Sequence, residues 1–213
     1  MRELDDLPYA AYLAPLDEEP LPETDYDCVR LEGAEFKEID LRNARFSESA
    51  LTDLMFAGGN LAHTRFADVW LNKMDMTATS LAETVWLDAE IGGSAWIGVD
   101  AGGADLRRVE FVGCKLDGVN FRNVRFRDVV FRECVLREPD FAGATLSSVT
   151  FPDSRIDGLT LHKTTMTKVD FRGARALSIA RGIESLRGAT VDRTQLMELA
   201  PSFATALGLT VTD

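Results

Sequence analysis

Histidine and cysteine are the side chains that could serve in metal binding or nucleophilic catalysis, and both are scarce in this sequence. The two histidines, His63 and His162, lie in different halves of the chain, and we interpret them as solvated surface residues. The sequence contains no glycine-rich phosphate loop, no nucleophile elbow and no metal-ligand spacing. We therefore expect no enzymatic activity, no cofactor and no metal.

Three cysteines are present, and two of them, Cys114 and Cys134, are twenty residues apart. Cys28 is not separated from either of them by a multiple of five residues. Buried, reduced thiols that act as small apolar side chains are the favoured interpretation, and a disulfide between Cys114 and Cys134 is the alternative. This cysteine usage predicts a reducing cytoplasm.

Carboxylates outnumber every other charged group and could form acid–base pairs. They recur at regular positions, however, and we therefore interpret them as part of a solvated surface. The chain has 35 Asp and Glu against 23 Lys and Arg, a net charge of −12. Residues 1–25 and 26–100 each have a net charge of −7, residues 101–175 of +3 and residues 176–213 of −1. The acidic balance argues against direct nucleic-acid binding. We identify no apolar run long enough to cross a membrane and no signal peptide, so we expect no membrane partner.

A five-residue period runs through most of the chain and must position all of these side chains. Every fifth residue from Tyr26 to Phe171 is large and apolar, except Ala101; we call this position the centre. The residue two places earlier is small in most repeats, and the residue just before the centre is often Asp or Asn. The period matches neither a strand nor a helix.

Segments such as Ala34-Glu35-Phe36, Ala104-Asp105-Leu106 and Val169-Asp170-Phe171 resemble the A(D/N)LXX unit of pentapeptide repeat proteins. The resemblance implies an all-β solenoid, a right-handed quadrilateral β-helix with four repeats per coil and about eight coils, whose centres and small residues point inward. Each inward side chain would then contact its copy twenty residues away. Two predicted columns are Tyr26, Phe46, Phe66, Trp86, Leu106, Phe126, Leu146 and Met166, and Phe111, Phe131, Phe151 and Phe171.

The chain divides into an N-terminal cap and lead-in (residues 1–24), the β-helix (residues 25–192) and a C-terminal module of helix and strand (residues 193–213). We expect residues 7–13 to cap the open N-terminal end of the β-helix, because such an end exposes core and unpaired strand edges. The period falters over residues 176–184 and then returns.

The C-terminal module begins, in this prediction, with an amphipathic stretch from Leu196 to Leu207 that Pro201 breaks or kinks. Gly208 is its expected C-cap. A short strand is predicted over residues 209–212.

The ending, from Leu186 through Gln195 to Val211, is similar to the C-terminal module of the fluoroquinolone-resistance pentapeptide proteins of the MfpA and Qnr type. The resemblance implies a two-fold homodimer joined at the C-terminus, and a rod that mimics DNA and binds DNA gyrase. The residues assigned to the dimer interface are Leu196, Leu199, Phe203, Leu207, Leu209 and Val211.

Outward-facing side chains supply the candidate partner-binding residues. Two interpretations remain open: a DNA-mimicking modulator of DNA gyrase that gives quinolone protection, or a generic scaffold for an unidentified protein partner. An Arg cluster is expected to pair with neighbouring carboxylates. Its members are Arg107, Arg122, Arg127, Arg132 and Arg137, and the expected partners are Asp105, Asp128, Glu133 and Glu138. The candidate residues are Trp70, Leu87, Ile97, Glu35, Glu38, Asp53, Asp68 and Asp88.

Overall fold

The chain folds into short parallel strands. The computed structural model describes residues 1–210. Almost every strand pairs with the strand one coil away, at a spacing of twenty residues, as where Phe111 pairs with Phe131. The result is a parallel β-solenoid of about eight turns with one short C-terminal helix, which confirms the predicted fold class. The strands are β1 Ala14–Pro15, β2 Asp25–Asp27, β3 Val29–Glu32, β4 Glu35–Lys37, β5 Arg45–Ser47, β6 Ala50–Ala57, β7 Arg65–Ala67, β8 Trp70–Thr77, β9 Val85–Gly92, β10 Ala95–Ile97, β11 Asp105–Val112, β12 Lys115–Asp117, β13 Arg125–Arg132, β14 Val135–Arg137, β15 Thr145–Thr150, β16 Arg155–Thr160, β17 Thr165–Thr167, β18 Val169–Asp170, β19 Ala176–Arg181 and β20 Ala189–Thr190.

The predicted interior columns are confirmed. Phe131 stacks between Phe111 and Phe151, with ring centroids 4.8 and 5.3 Å away and nearly parallel planes. In the other column, Phe66 stacks on Trp86 at 4.0 Å. Because each ring rests on a copy of itself or on another large apolar side chain, the core is continuous along the rod.

The corners of each coil lie two residues after the centres. Nearly all residues at this position have a positive φ, for example Asp53 at 52° and Gly118 at 58°. None of them is β-branched, because a branched Cβ is costly in the left-handed region. This steric rule explains why the sequence places charged, small or glycine residues there.

The Asp and Asn residues before many centres form local turns. The carboxylate of Asp140 accepts a hydrogen bond from the backbone N–H of Ala142 at 2.9 Å, and Asn60 accepts one from Ala62 at 3.0 Å. These side chains satisfy backbone donors where strand pairing is reduced to single bridges. The Asp or Asn of the A(D/N)LXX pattern therefore stabilises the turn on one side of the coil.

Residues 1–13, which we call the strap, run along the outside of the rod. They contain two 3₁₀ helices, Leu4–Asp6 and Ala10–Tyr12. Leu7 and Tyr9 are buried against Ala50 and Trp70, on a side of the coils. The prediction that residues 7–13 cap the open end is therefore wrong. Strand β1 lies at that end instead and pairs with β3, with Leu16 packed on the core.

The C-terminal end departs from the period where the sequence does. Strand β19 pairs with β16 with register shifts, so that Leu177 rather than Ala176 lies beside Ile156. A 3₁₀ helix, Ile183–Leu186, follows, and β20 then pairs with β18 at the ordinary spacing.

The C-terminal helix, α1 (Arg193–Ala206), begins earlier than predicted and continues through Pro201. Of the predicted break or kink at Pro201, the break is wrong, because the capping box of Asp192 and Gln195 stabilises the start of the helix and tertiary packing outweighs one missing hydrogen bond. Gly208 ends it as expected, with a φ of 69°. The N–H groups of Gly208 and Leu209 bond to the carbonyls of Thr205 and Ala204, as in a Schellman motif. Thr210 and Leu209 form no strand, and residues 211–213 lie outside the described part.

Candidate protein-interaction surfaces

Trp70 does point outward from its coil, but the strap covers it. The residue is only 6% exposed, and its Nε1 donates a hydrogen bond to the carbonyl of Arg2 at 3.0 Å. Arg2 also forms an ion pair with Glu90, the next residue along the same side of the rod. Trp70 is therefore not the exposed residue that the sequence predicted. We call the outward side chains of Ala50, Trp70 and Glu90 the Trp70 face.

A carboxylate corner adjoins the Trp70 face. Glu48, Asp68 and Asp88 occupy the same corner position in successive coils. Burial raises the pKa of Asp68, and the neighbouring charges of Asp88 and Glu48 raise it further. Asp88 accepts hydrogen bonds from Arg108, which lower its pKa. Leu87, half-buried, lies on the adjacent side of the rod.

Other predicted acidic residues lie around a further side of the coils. Glu35 and Asp53 line a shallow groove with Met55 and Asp75, and all four are exposed. Asp53 is within 3.2 Å of the Lys73 ammonium. The structure therefore distributes the predicted acidic set over more than one side, with Glu38 at a separate exposed corner.

Ile97 is the exposed apolar residue of the predicted partner set. It is 52% exposed and lies in a second shallow groove with Ala95 and Val135. Lys115 and Arg137 flank this groove. Sequence reasoning missed Met55, 47% exposed, because the period marks which positions point outward but not how far each side chain projects.

Four of the five arginines of the Arg cluster pair with carboxylates, although mostly not with the predicted ones. Arg107 binds Asp105 through two hydrogen bonds, of 2.8 and 3.1 Å, as predicted. Asp105 also accepts a bond from Arg125. The remaining pairs join Arg122 to Asp140, Arg132 to Glu110 and Arg137 to Asp117.

Exposed apolar side chains concentrate on and after helix α1. Leu196, Met197, Leu207 and Leu209 are all exposed. Leu199, however, is 2% exposed and packs onto the end of the core, so it is not available for the predicted dimer interface. Phe203 is half-buried against the same core, and Val211 lies outside the described residues.

Gln195 joins helix α1 to the last coils. Its side-chain amide donates hydrogen bonds to the carbonyls of Phe171, at 2.7 Å, and Ala174, at 3.2 Å. Its side-chain oxygen accepts a bond from the N–H of Asp192. The D-x-x-Q spacing in the sequence was the signal for this capping box, but nothing in it indicated that the amide also binds carbonyls of the solenoid.

Among residues 1–210, one group of side chains has the spacing of metal ligands. Oxygen and sulfur atoms of Asp27, Cys28 and Glu48 lie within 4.8 Å of one another. Burial raises the pKa of the Cys28 thiol, and its hydrogen bond to Glu48 does so too. Because a metal binds the thiolate, a protonated thiol makes this a poor site. Cys114 and Cys134 are buried, and each donates to a backbone carbonyl.

Within residues 1–210, no helix has the length and apolar content that crossing a membrane requires. The histidines lie at exposed positions, with His63 near Glu83 and His162 near Glu184. The two histidines are thus separate groups on the outside of the rod.

Known proteins to which the chain is similar include pentapeptide repeat proteins. A family model for the pentapeptide repeat region matches residues 104–180. No curated protein sequence matches the chain. The chain is similar to the solved structure of QnrB1, a plasmid-mediated fluoroquinolone resistance protein, at 17% identity over 88% of this chain and 100% of that one, with a TM-score of 0.41.

Two further solved structures are pentapeptide repeat proteins. One is from the Arabidopsis thaliana thylakoid lumen, at 14% identity over 60% of this chain and 71% of that one, with a TM-score of 0.34. The other is HetL of the cyanobacterium Nostoc, involved in heterocyst differentiation regulation, at 16% identity over 86% of this chain and 93% of that one, with a TM-score of 0.26.

Proposed function

Since this chain is a pentapeptide repeat protein whose period extends on both sides of the matched residues 104–180, we propose that it acts as a non-enzymatic protein-interaction rod. We further propose that its partner is DNA gyrase, that its acidic coils occupy the DNA site of that enzyme, and that this protects gyrase from quinolones. The cytoplasm is the compartment that this role requires.

The observation that carries the proposal is the acidic outer surface of the first coils. Residues 1–100 contain 21 acidic and 7 basic residues. The carboxylates of Glu35, Glu38 and Asp53 are exposed on a rigid rod. A rigid array of negative charge is what a positively charged DNA groove on another protein attracts. The sequence resemblance of the ending to the quinolone-resistance proteins supports the same partner.

A second candidate, a scaffold for another protein, is favoured by the ion pairs on the rod. Lys73 partly neutralises Asp53, and Arg108 binds Asp88. Residues 101–175 have a net charge of +3. A rod with mixed charge along its length fits a partner that alternates acidic and basic patches.

A supercoiling assay with purified DNA gyrase, with and without a fluoroquinolone, tests the first proposal. We expect the rod to slow supercoiling and to reduce drug-induced DNA cleavage. The double variant Glu38→Lys, Asp53→Lys should weaken both effects. Its matched control is Glu138→Lys, Glu133→Lys, which makes the same charge change at the same corner positions of later coils. Gyrase activity that is unaffected by the wild-type rod, with or without drug, would favour the scaffold instead.

The exposed apolar residues after Asp192 suggest how the rod assembles. We propose a homodimer in which Leu196, Met197, Leu207 and Leu209 of two copies pack together, because a two-fold interface needs only one self-complementary surface. Light scattering should then report about twice 23.5 kDa. The variant Leu207→Asp should give a monomer, and a wild-type chain that remains monomeric at high concentration would remove this proposal.

A further inference from the structure

The strap is attached to the rod by side chains. Its backbone-to-backbone hydrogen bonds are internal, for example from Ala10 to Leu7 at 3.0 Å and from Tyr12 to Tyr9 at 2.9 Å, and the backbone of Arg2 bonds to side chains of the rod, Glu90 and Trp70. Within the described residues, the first backbone-to-backbone bond to the coils is made by Ala14, just after the strap, whose N–H donates to the carbonyl of Cys28 at 2.8 Å. The β ladder of the coils is therefore complete without the strap.

The strap also packs in its own small core. Leu7 and Tyr9 are buried with Ala50 and Trp70 in a cluster separate from the continuous core of the solenoid. Removing the strap would expose the Trp70 indole without opening the interior columns. An indole between an apolar residue, Ala50, and an acidic one, Glu90, is the kind of anchor on which peptide recognition depends.

Charge supports the same contact. Glu90 belongs to the Trp70 face, and Glu48, Asp68 and Asp88 line its edge. Arg2 is the only cationic side chain among residues 1–25. It binds Glu90 through both its backbone N–H, at 2.8 Å, and its guanidinium. The Trp70 face therefore favours a bound segment that has a basic side chain close to apolar side chains.

We propose that the Trp70 face is a docking surface for a peptide segment of a partner protein, and that the strap occupies it in cis. The segment would carry a basic side chain for Glu90, followed by an aliphatic and an aromatic side chain for Ala50 and Trp70, as Arg2, Leu7 and Tyr9 do. The partner must displace the strap to bind. The strap therefore restricts access to one side of the acidic coils.

The test uses the strap itself as the probe, whichever protein the rod meets. A chain that begins at Ala14 and the full-length chain are each titrated against a fluorescein-labelled peptide of residues 1–13, with fluorescence polarisation as the readout. We expect the shortened chain to bind the peptide and the full-length chain to bind it at least about tenfold more weakly, because the tethered strap has a high local concentration.

Matched variants locate the contact. Trp70→Ala in the shortened chain should abolish peptide binding, and Arg2→Ala in the peptide should weaken it. Val130→Ala is the control, because Val130 occupies the same outward position three coils away, beyond the strap. Binding that survives Trp70→Ala, or a cooperatively melting shortened chain that does not bind the peptide, would overturn the proposal.

Full-length protein provides a second readout. Leu7→Ala, Tyr9→Ala should increase acrylamide quenching of tryptophan fluorescence, since Trp86 and Trp96 are buried in the interior and report little change. The melting temperature should change little. A large fall in melting temperature with unchanged quenching, or a shortened chain that fails to fold, would mean that the strap is an integral part of the fold and would contradict the proposal.

Discussion

The central coils and the two ends of this molecule are built by different rules. In the centre, a ring such as Phe131 is surrounded by copies of its own environment, twenty residues before and after. At the ends no such copy exists, and unrelated elements cover the core: strand β1 at one end, helix α1 at the other. Repetition thus stabilises the middle of the rod, whereas single contacts hold the ends.

Truncation of a central ring should have the largest effect. Phe131→Ala should lower the free energy of unfolding by about 3–5 kcal/mol, because rigid stacked neighbours prevent the cavity from collapsing. Phe203→Ala, at the half-buried end, should cost only about 1–2 kcal/mol. Urea denaturation of both variants measures the difference. Equal losses would mean that the ends and the centre are packed alike.

Glycine substitutions should separate the irregular end from the regular corners. A Cβ added at Gly188, with φ at 90°, would lie 2.2 Å from the carbonyl oxygen of Met166. We therefore expect Gly188→Ala to cost about 3 kcal/mol. Gly118 has a φ of 58° and no atom within 4 Å of the added Cβ, so Gly118→Ala should cost only about 1–2 kcal/mol. Thermal melts of the pair provide the comparison, which similar losses would contradict.

The interior of the rod was predictable from sequence, because its rule is local and repeated. The columns containing Phe66 and Phe131 followed from the five-residue spacing together with the four repeats per coil that the family resemblance implied. The strap was not predictable, since the contact between Arg2 and Trp70 joins distant residues that have no shared period. The same holds for Leu199, which looked like any apolar residue of an amphipathic helix until its packing on the core was known.

The link between helix α1 and the solenoid should have an intermediate effect. Gln195→Ala would leave the carbonyl of Ala174 without its side-chain donor and the carbonyl of Phe171 with only its bond from the N–H of Ala174, at a cost of about 1–3 kcal/mol. Thr194→Ala, on the exposed side of the same turn, is the control. Amide hydrogen exchange should show the loss confined to the C-terminal coils. Loss of protection along the whole rod would contradict nearest-neighbour stability.

The smallest effect concerns charge in the central coils. Hydrogen bonds from Arg107, and to a lesser degree from Arg125, lower the pKa of Asp105. The resulting stabilisation is fully present above the unfolded pKa of about 3.9 and disappears as the pH falls through the lower folded pKa. Asp105→Asn should therefore cost about 1 kcal/mol at neutral pH. The melting temperature of the variant should depend less on pH below about pH 4 than that of the wild type; parallel pH profiles would contradict this.

The most direct measurement of the proposed function is competition between the rod and DNA for gyrase. A labelled linear DNA is bound to purified gyrase, and the rod is added while fluorescence polarisation is followed. Displacement of the DNA by the wild-type rod, weakened by Glu38→Lys, Asp53→Lys and unaffected by Glu138→Lys, Glu133→Lys, is the result that a DNA-mimicking acidic half predicts. Gyrase that retains its DNA at saturating concentrations of the rod would contradict it.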